Sequence, residues 1–501
     1  MSDEGSPEGL PARLLTDLKR AASALMRARS VDVITHIDAD GITAGAIAAE
    51  TLRRLGKTYT LTFEKKITEE TVDKVNRDPS DYVWICDLGS AYMGQFTRSG
   101  IVVTDHHVPD TKWRSGQSML DAFSASYQLN PHLYGASGSY EVSGAGMTYL
   151  LSRAIDPKNV DLAYLAVIGA IGDFQDSRES RLVGWNRVIL QDAVDCGDME
   201  VSYGIRFFGR GTRPLVQFLQ YGEPAIPGLA SDADACYNLL AACQVPANNP
   251  DGTRRTWCDL DPVECAMLTD ELVSRARNDE DRAALLGELY TVKRYDFKTG
   301  LGDAKEFATT LNSCGRYDDA DTGAKICLGD LDALKEAENN RKDHRKNISV
   351  ALAFVRDNHL LRRRNYVQYF DAGSAIRETV VGIVAGMILS SSEAAPDMPI
   401  IAFAEADDGI KVSARAPKSL VDAGMDLSKL MSEAAAAVGG MGGGHNVAAG
   451  ATIPVGKKEV FLDKLEELIA GLSSCDGCRA LPSVRGACSR PGRRRRCACP
   501  R

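Results

Sequence analysis

No stretch of this chain approaches the roughly 20 consecutive apolar residues that a helix needs to cross a bilayer, so no membrane-spanning helix is expected. Paired cysteines are absent from the body. Eight of the thirteen are scattered from Cys86 to Cys327 without Cys-x-x-Cys spacing, several among aliphatic residues. They read as reduced, small hydrophobes, which excludes a disulfide scaffold. The acidic, small-residue start Met1–Gly9 has the pattern of neither a signal nor a transit peptide, and a cytoplasmic protein is expected. Positive charge is scarce outside the C-terminus. The net charge is −9, yet residues 475–501 hold eight arginines against one aspartate, a net of +7, so the remainder carries −16. Such a body is no general polyanion binder. Nucleic acid would need a local basic groove, or metal ions to neutralise carboxylates. Histidine is also scarce, at seven residues, which makes an adjacent pair conspicuous. No internal repeat is evident.

What the chain does contain is a series of short apolar runs that stop on acids and histidines. Leu14, Leu15, Leu18, Ala21, Ala22 and Leu25 recur at helical spacing over residues 10–30. Val31–Ile37 reads as a strand, and Ile42–Leu55 as an alanine-rich helix. Further strands are expected at Tyr59–Phe63, Tyr82–Cys86, Ile101–Thr104 and Ser126–Leu129, with helices at Ala145–Ala154 and Leu162–Ile171. Strands alternating with helices predict parallel βαβ units. In such sheets the ligand crevice lies at the carboxyl ends of the strands. Residues 196–345 are the least legible part, with Gly, Pro and Asp clusters near 223–252. Leu331–Arg364 looks mostly helical and turns basic. A second α/β segment follows at 366–470. It has a hairpin of Met398–Ala404 and Gly409–Ala416, helices at Ile376–Leu389 and Asp426–Val438, a glycine-rich loop Gly439–His445, and a last strand Ala448–Pro454.

Five constellations carry chemistry. His36, Asp38 and Asp40 recur at i, i+2 and i+4, the spacing that shares one face of an extended strand. Carboxylates with an imidazole suit hard divalent ions such as Mn²⁺ or Mg²⁺. A polar turn with an aspartate helix cap reads the same residues about as well. Asp87 ends its strand and alone is an ordinary cap. Asp105-His106-His107 ends Ile101–Thr104, where one imidazole could bind metal while the other handles protons. Asp173 follows Gly172, with Asp176 near it. If Asp38, Asp40, Asp87, Asp105 and Asp173 cluster, their repulsion requires cations between them. Two ions bridged by one carboxylate would meet that need and suit phosphoryl chemistry. Finally, Gly439–His445 with Ser413 and Arg415 offers backbone N–H groups and a guanidinium to phosphate.

In combination, His36-x-Asp38-x-Asp40-Gly41, Asp87, Asp105-His106-His107, Asp173 and Gly442-Gly443-Gly444-His445 resemble the DHH phosphoesterase superfamily. Ser413-x-Arg415 with the glycine loop resembles its DHH-associated C-terminal domain. More narrowly, Asn130-Pro131-His132, Ser143–Gly146, Gly169–Asp173, Leu311–Arg316 and Leu328-Gly329-Asp330 resemble archaeal RecJ-like single-strand exonucleases, including the GINS-associated nuclease. The resemblance covers about residues 20–470.

It implies an α/β fold: a parallel-sheet N-terminal DHH domain and a smaller α/β C-terminal domain, with a cleft between them. It implies two Mn²⁺ (or Mg²⁺) ions. His36 and Asp38 would hold one, Asp40, His106 and Asp173 the other, and Asp87 would bridge them. Asp105 would be a ligand or support, and His107 would polarise the scissile phosphate or protonate its leaving group. Ser413, Arg415, Gly443, Gly444 and His445 would grip substrate phosphates. The implied domains are 10–195 (catalytic), 196–345 (middle) and 346–470 (substrate-binding); the Cys- and Arg-rich tail, 471–501, does not match the family, and its composition reads as disordered. The implied activity is hydrolysis of single-stranded DNA or RNA in replication or repair, with the GINS complex or other replisome proteins as partners. An oligoribonuclease, a cyclic-dinucleotide phosphodiesterase and a catalytically idle replisome scaffold are the alternatives. The tail cysteines, Cys475-x-x-Cys478 with Cys488, Cys497 and Cys499, lack the second paired spacing of a zinc knuckle.

Overall fold

A computed structural model describes residues 9–110, 126–391 and 393–473. The N-terminal residues before these, and the Cys- and Arg-rich tail beyond Ser473, lie outside the described residues, whereas 471–473 belong to the helix Lys458–Ser473. The chain divides into two compact units, Met1–Lys342 and Asp343–Arg501.

The first unit is built on five parallel strands: Ser30–His36 (β1), Thr58–Glu64 (β2), Tyr82–Cys86 (β3), Ile101–Thr104 (β4) and Tyr127–Leu129 (β5). Their order in the sheet is β2-β1-β3-β4-β5. β3 and β4 are buried throughout, which is why they read as continuous apolar runs and not as alternating ones. Trp84 is fully buried at the centre, and its indole N–H is satisfied by Thr104 Oγ1 at 3.0 Å. Helices Ala39–Arg54, Gly144–Ile155 and Ala163–Gly172 share one core with Ala12–Arg27. Ala163–Ile171 is buried on every side, as its uniformly apolar sequence requires. The chain leaves β1 for β2 on one side of the sheet and returns to β3 on the other. The β1/β3 boundary is therefore a topological switch point, where open α/β sheets bind ligands.

The middle segment, opaque in the sequence, has a core of its own. Met199–Ile205 (β6) and Leu286–Val292 (β7) pair antiparallel. Between them, short helices pack around Phe207, Phe218 and Trp257, with Phe218 stacked on Trp257 at 5.0 Å between ring centroids. Its acidic clusters are partly caps. Asp232 caps Ala233–Ala242, and Asp261 forms a capping box with Glu264 at the start of Pro262–Arg275.

The second unit is a mixed sheet of Arg362–Arg363 (β8), Gln368–Asp371 (β9), Ile400–Ala406 (β10), Gly409–Arg415 (β11), Met441–Gly444 (β12) and Ala448–Ile453 (β13), in the order β12-β13-β11-β10-β9-β8. Period-2 burial assigns its faces. Ile401 and Phe403 pack with helices Leu427–Ala437 and Lys458–Ser473, and Ile400, Ala402 and Ala404 with Glu378–Leu389. The expected β10–β11 hairpin forms across Asp407-Asp408.

Three expectations are corrected. Gly439–His445 is not simply a loop, because Met441–Gly444 is a strand paired with β13. Arg362-Arg363 do not continue the basic helix, which ends at Asp357, and instead form edge strand β8. The second helix begins at Ala39, three residues earlier than its apolar pattern suggests, because Asp38 caps it and draws Asp40 into its first turn.

Candidate metal centre

His36, Asp38 and Asp40 do not share a strand face. β1 ends at His36, the chain turns, and Asp38 accepts the Gly41 N–H at 2.9 Å as helix N-cap. Their convergence comes from a strand end meeting a helix start. Asp40 is fully buried and held from the opposite side, its two oxygens accepting the Gly144 N–H at 2.7 Å and the Ala145 N–H at 3.1 Å. These are orphan donors of another helix's first turn, whose dipole favours the carboxylate. Asp87 follows β3 in a left-handed backbone conformation, φ 57°, which aspartate tolerates better than most residues. Gly144 packs directly on it: a Cβ at 144 would lie 2.6 Å from the Asp87 Cβ.

Three groups of possible ligands result, the ligand atoms of each within 4.8 Å of one another: His36, Asp38 and Asp87; Asp40, His106 and Asp173; and Asp87, His106 and His107. His36 Nδ1 lies 2.8 Å from Asp38 Oδ2 and 3.4 Å from Asp87 Oδ2, yet makes a hydrogen bond to neither. His106 Nε2 is 3.2 Å from Asp87 Oδ1, 3.2 Å from Asp173 Oδ2 and 3.8 Å from Asp40 Oδ2. Among the described residues, buried Asp87 Oδ1 has no hydrogen-bond partner. A native interior leaves few such atoms, and oxygen-rich sets with imidazole fit Mn²⁺ or Mg²⁺.

Asp105 differs from the other acids. Its Oδ1 accepts from the backbone N–H of His106 at 2.7 Å and of His107 at 3.1 Å, and from His107 Nδ1 at 2.8 Å. Its Oδ2 accepts the Ser90 N–H at 2.9 Å. Both oxygens are thus engaged by the protein, and Asp105 belongs to none of the three groups. Asp176 also stands apart, paired with Arg206. The two adjacent histidines diverge: the His106 side chain is fully buried, whereas that of His107 is 41% exposed.

Charge within the cluster is mutually compensated. Burial pushes Asp40 up, helped by Asp87, to about 7, and burial with Asp40 raises Asp173 well above the carboxylate range. Burial opposes ionisation of Asp87 too, but His106 and His36 outweigh it and hold its carboxyl well below the ordinary value. Burial disfavours charged His36 and His106, yet the surrounding aspartates raise both well above a free imidazole. The cluster holds protons where cations would serve.

In the second unit, Ser413 and Arg415 lie two apart on β11, both against Gly382 of helix Glu378–Leu389. Ser413 pairs with Gly450 of β13, which pairs in turn with Gly443 of β12. Gly444 adjoins Gly443 on β12, and the His445 N–H donates to Ala448 O at 2.9 Å. Arg415 Nη1 donates to Ala414 O at 2.8 Å. Among the described residues Arg415 has no carboxylate partner, and its burial lowers its pKa. Sequence reasoning passed over Gly138, whose carbonyl accepts His106 Nδ1 at 2.6 Å, and Ser90, behind Asp105. Neither carries a chemical signal of its own.

Comparison with known proteins follows the same division. The model of the DHHA1 domain matches residues 364–471, and that of the DHH-CID domain residues 207–285. An uncharacterised protein of Methanocaldococcus jannaschii is 28% identical over 446 residues, 88% of this chain and 93% of that one. The fold is similar to RecJ from Thermus thermophilus in complex with Mn²⁺, with TM-score 0.54 and 17% identity over 91% of this chain and 55% of that one. It is also similar to CDC45 from Entamoeba histolytica, with TM-score 0.60 and 10% identity over 91% of this chain and 98% of that one. This chain therefore spans about half the length of the Thermus RecJ chain.

Proposed function

We propose that this chain is a RecJ-like member of the DHH superfamily, a metal-dependent exonuclease that hydrolyses single-stranded DNA or RNA with two divalent ions, Mn²⁺ or Mg²⁺; the DHHA1 and DHH-CID domain matches and the likeness in fold to a Mn²⁺-bound RecJ support this reading. The observation that carries this reading is Asp87. Among the described residues, it belongs to two of the three ligand groups, and one of its oxygens is buried without a hydrogen-bond partner. His36 and Asp38 would hold one ion, Asp40, His106 and Asp173 the other, and Asp87 both. When bound, such ions neutralise charge at phosphorus and supply a nucleophile at neutral pH.

The protein's own share follows from its side chains. Asp105 holds His107 by Nδ1, which turns the Nε2 side of that half-open ring towards a substrate. There it polarises the scissile phosphate or protonates the leaving oxygen. Arg415, with no carboxylate partner among the described residues, grips a phosphate together with Ser413, Gly443, Gly444 and His445. We assign residues 10–195 to catalysis, 346–470 to substrate binding and 196–345 to a partner such as the GINS complex. The last rests on the separate core of the middle segment and on its exposed Tyr237, Val263 and Met267.

The test compares wild type with Asp87→Asn in Mn²⁺ on 5′- and 3′-labelled single-stranded DNA and RNA, beside dinucleotides. Mononucleotide release by wild type and its loss in Asp87→Asn are expected. Cleavage of dinucleotides alone overturns the exonuclease, and an inactive wild type that binds Mn²⁺ favours a non-catalytic role.

A further inference from the structure

His106 and His107 are adjacent in the chain, and both backbone N–H groups donate to Asp105, yet different buried side-chain amides support their two rings. Gln175 is 1% exposed and lies two residues past Asp173. Its Nε2 donates to the Gly138 carbonyl at 2.9 Å and to the Val142 carbonyl at 3.1 Å, while its Oε1 accepts from Asn186 Nδ2 at 2.6 Å. The two carbonyls on one side and the amide donor on the other leave only one orientation for this amide. Gly138 O therefore takes two donors, Gln175 Nε2 and His106 Nδ1. This assigns the proton of His106 to Nδ1 and aims Nε2 at Asp40, Asp87 and Asp173. Position 138 must be glycine, since a Cβ there would run into the His106 carbonyl.

His107 depends on a different set. Asn130 is fully buried, and its Nδ2 donates to Ser90 Oγ at 2.8 Å and to the His107 carbonyl at 2.8 Å, while its Oδ1 accepts the His132 N–H at 3.0 Å. Gln128 Nε2 donates to the Ser90 carbonyl at 3.0 Å, and the Ser90 N–H donates to Asp105, which holds the His107 ring. Ser90, Asn130, His107 and Asp105 thus close a ring of hydrogen bonds. Among the bonds described, none joins Asn130 directly to Gln175, Gly138 or the His106 ring; the ring of bonds meets His106 only at its backbone, whose N–H donates to Asp105 Oδ1 at 2.7 Å.

We propose that Gln175 is the positioning residue of the metal-binding histidine and Asn130 that of the phosphate-facing histidine, so that metal affinity and turnover are set by separate buried amides. This deepens the phosphodiesterase reading and rests on it for the Asn130 half.

The experiment pairs near-isosteric variants of the full chain, Gln175→Met and Asn130→Leu, with Gln175→Glu and Asn130→Asp as the second pair should either first variant fail to fold. Free Mn²⁺ is followed by its electron paramagnetic resonance signal. kcat and KM are measured on a single-stranded oligonucleotide at saturating Mn²⁺. Gln175→Met is expected to raise the Mn²⁺ Kd about 10- to 100-fold, with activity recovered by added Mn²⁺. Asn130→Leu is expected to leave that Kd within about twofold and to lower kcat about 100-fold at unchanged KM, since small displacements of a reacting group have effects of that size. Added Mn²⁺ does not rescue it. Equal loss of Mn²⁺ affinity in both variants overturns the division, as does an Asn130→Leu enzyme of normal kcat. A wild type that binds Mn²⁺ and cleaves nothing overturns the phosphodiesterase reading and Asn130's share with it. The Mn²⁺ titration still decides Gln175's.

Discussion

At the scale of the residue, the site is a balance of protons, shared among buried carboxylates and imidazoles, that cations could replace. Asp40 titrates at about 7, above the value near 4 of an unfolded carboxyl. The stability tied to its protonated form is therefore present at low pH and is lost as pH rises from about 4 through 7. His36 and His106, raised above 6.5, add stability that is full below that value and lost as pH rises through their folded pKa. Asp87 and Asp105 are depressed, so their contribution is lost only as pH falls below about 4. The metal-free protein is expected to melt at lower temperature at pH 8 than at pH 5, and Mn²⁺ to raise its melting temperature more at pH 8. Differential scanning fluorimetry at fixed ionic strength measures both; a metal-free melting temperature that climbs from pH 5 to 8 contradicts the assignment. In the core, Trp84→Ala removes a fully buried ring and is expected to destabilise the first unit by about 3–5 kcal/mol, read by urea unfolding followed through the other tryptophans.

At the scale of the element, the site is where one element's end meets another's beginning. The end of β1 meets the helix Ala39–Arg54, and Asp40 meets the first turn of Gly144–Ile155. Gly144→Ala adds a Cβ that must displace Asp87. It is expected to weaken Mn²⁺ binding about tenfold or more while far-ultraviolet circular dichroism stays unchanged; wild-type affinity would mean that Asp87 moves freely. The same junctions explain what was legible. β3 and β4 were readable because full burial leaves an apolar run that stops where water or a ligand begins. The start at Ala39 was not, because capping by Asp38 overrides the apolar periodicity that begins at Ile42. β12 was not, because a run of glycines carries no side-chain alternation, and its strand state comes from pairing with β13. The candidate ligands were legible by residue type. Their supports were not: Gly138, Gln175 and Ser90 act through backbone and amide geometry that three-dimensional packing creates.

At the scale of the whole molecule, the two units carry separate cores, the first around β1–β5 with a further one in its middle segment, the second around β8–β13. Calorimetry is expected to resolve two transitions, with Mn²⁺ raising only the one that belongs to residues up to Lys342, as mass action requires of a ligand bound to one folded unit. A single transition shifted as a whole would mean that the units unfold together. One feature of the first unit has an evolutionary consequence. The left-handed backbone at Asp87 is a conformation that aspartate and asparagine adopt with similar ease. A lineage can therefore trade this carboxylate for its amide in a single codon step without disturbing the turn that bears it. The turn therefore does not itself select for the carboxylate; what selects for it is the charge it places between His36 and His106.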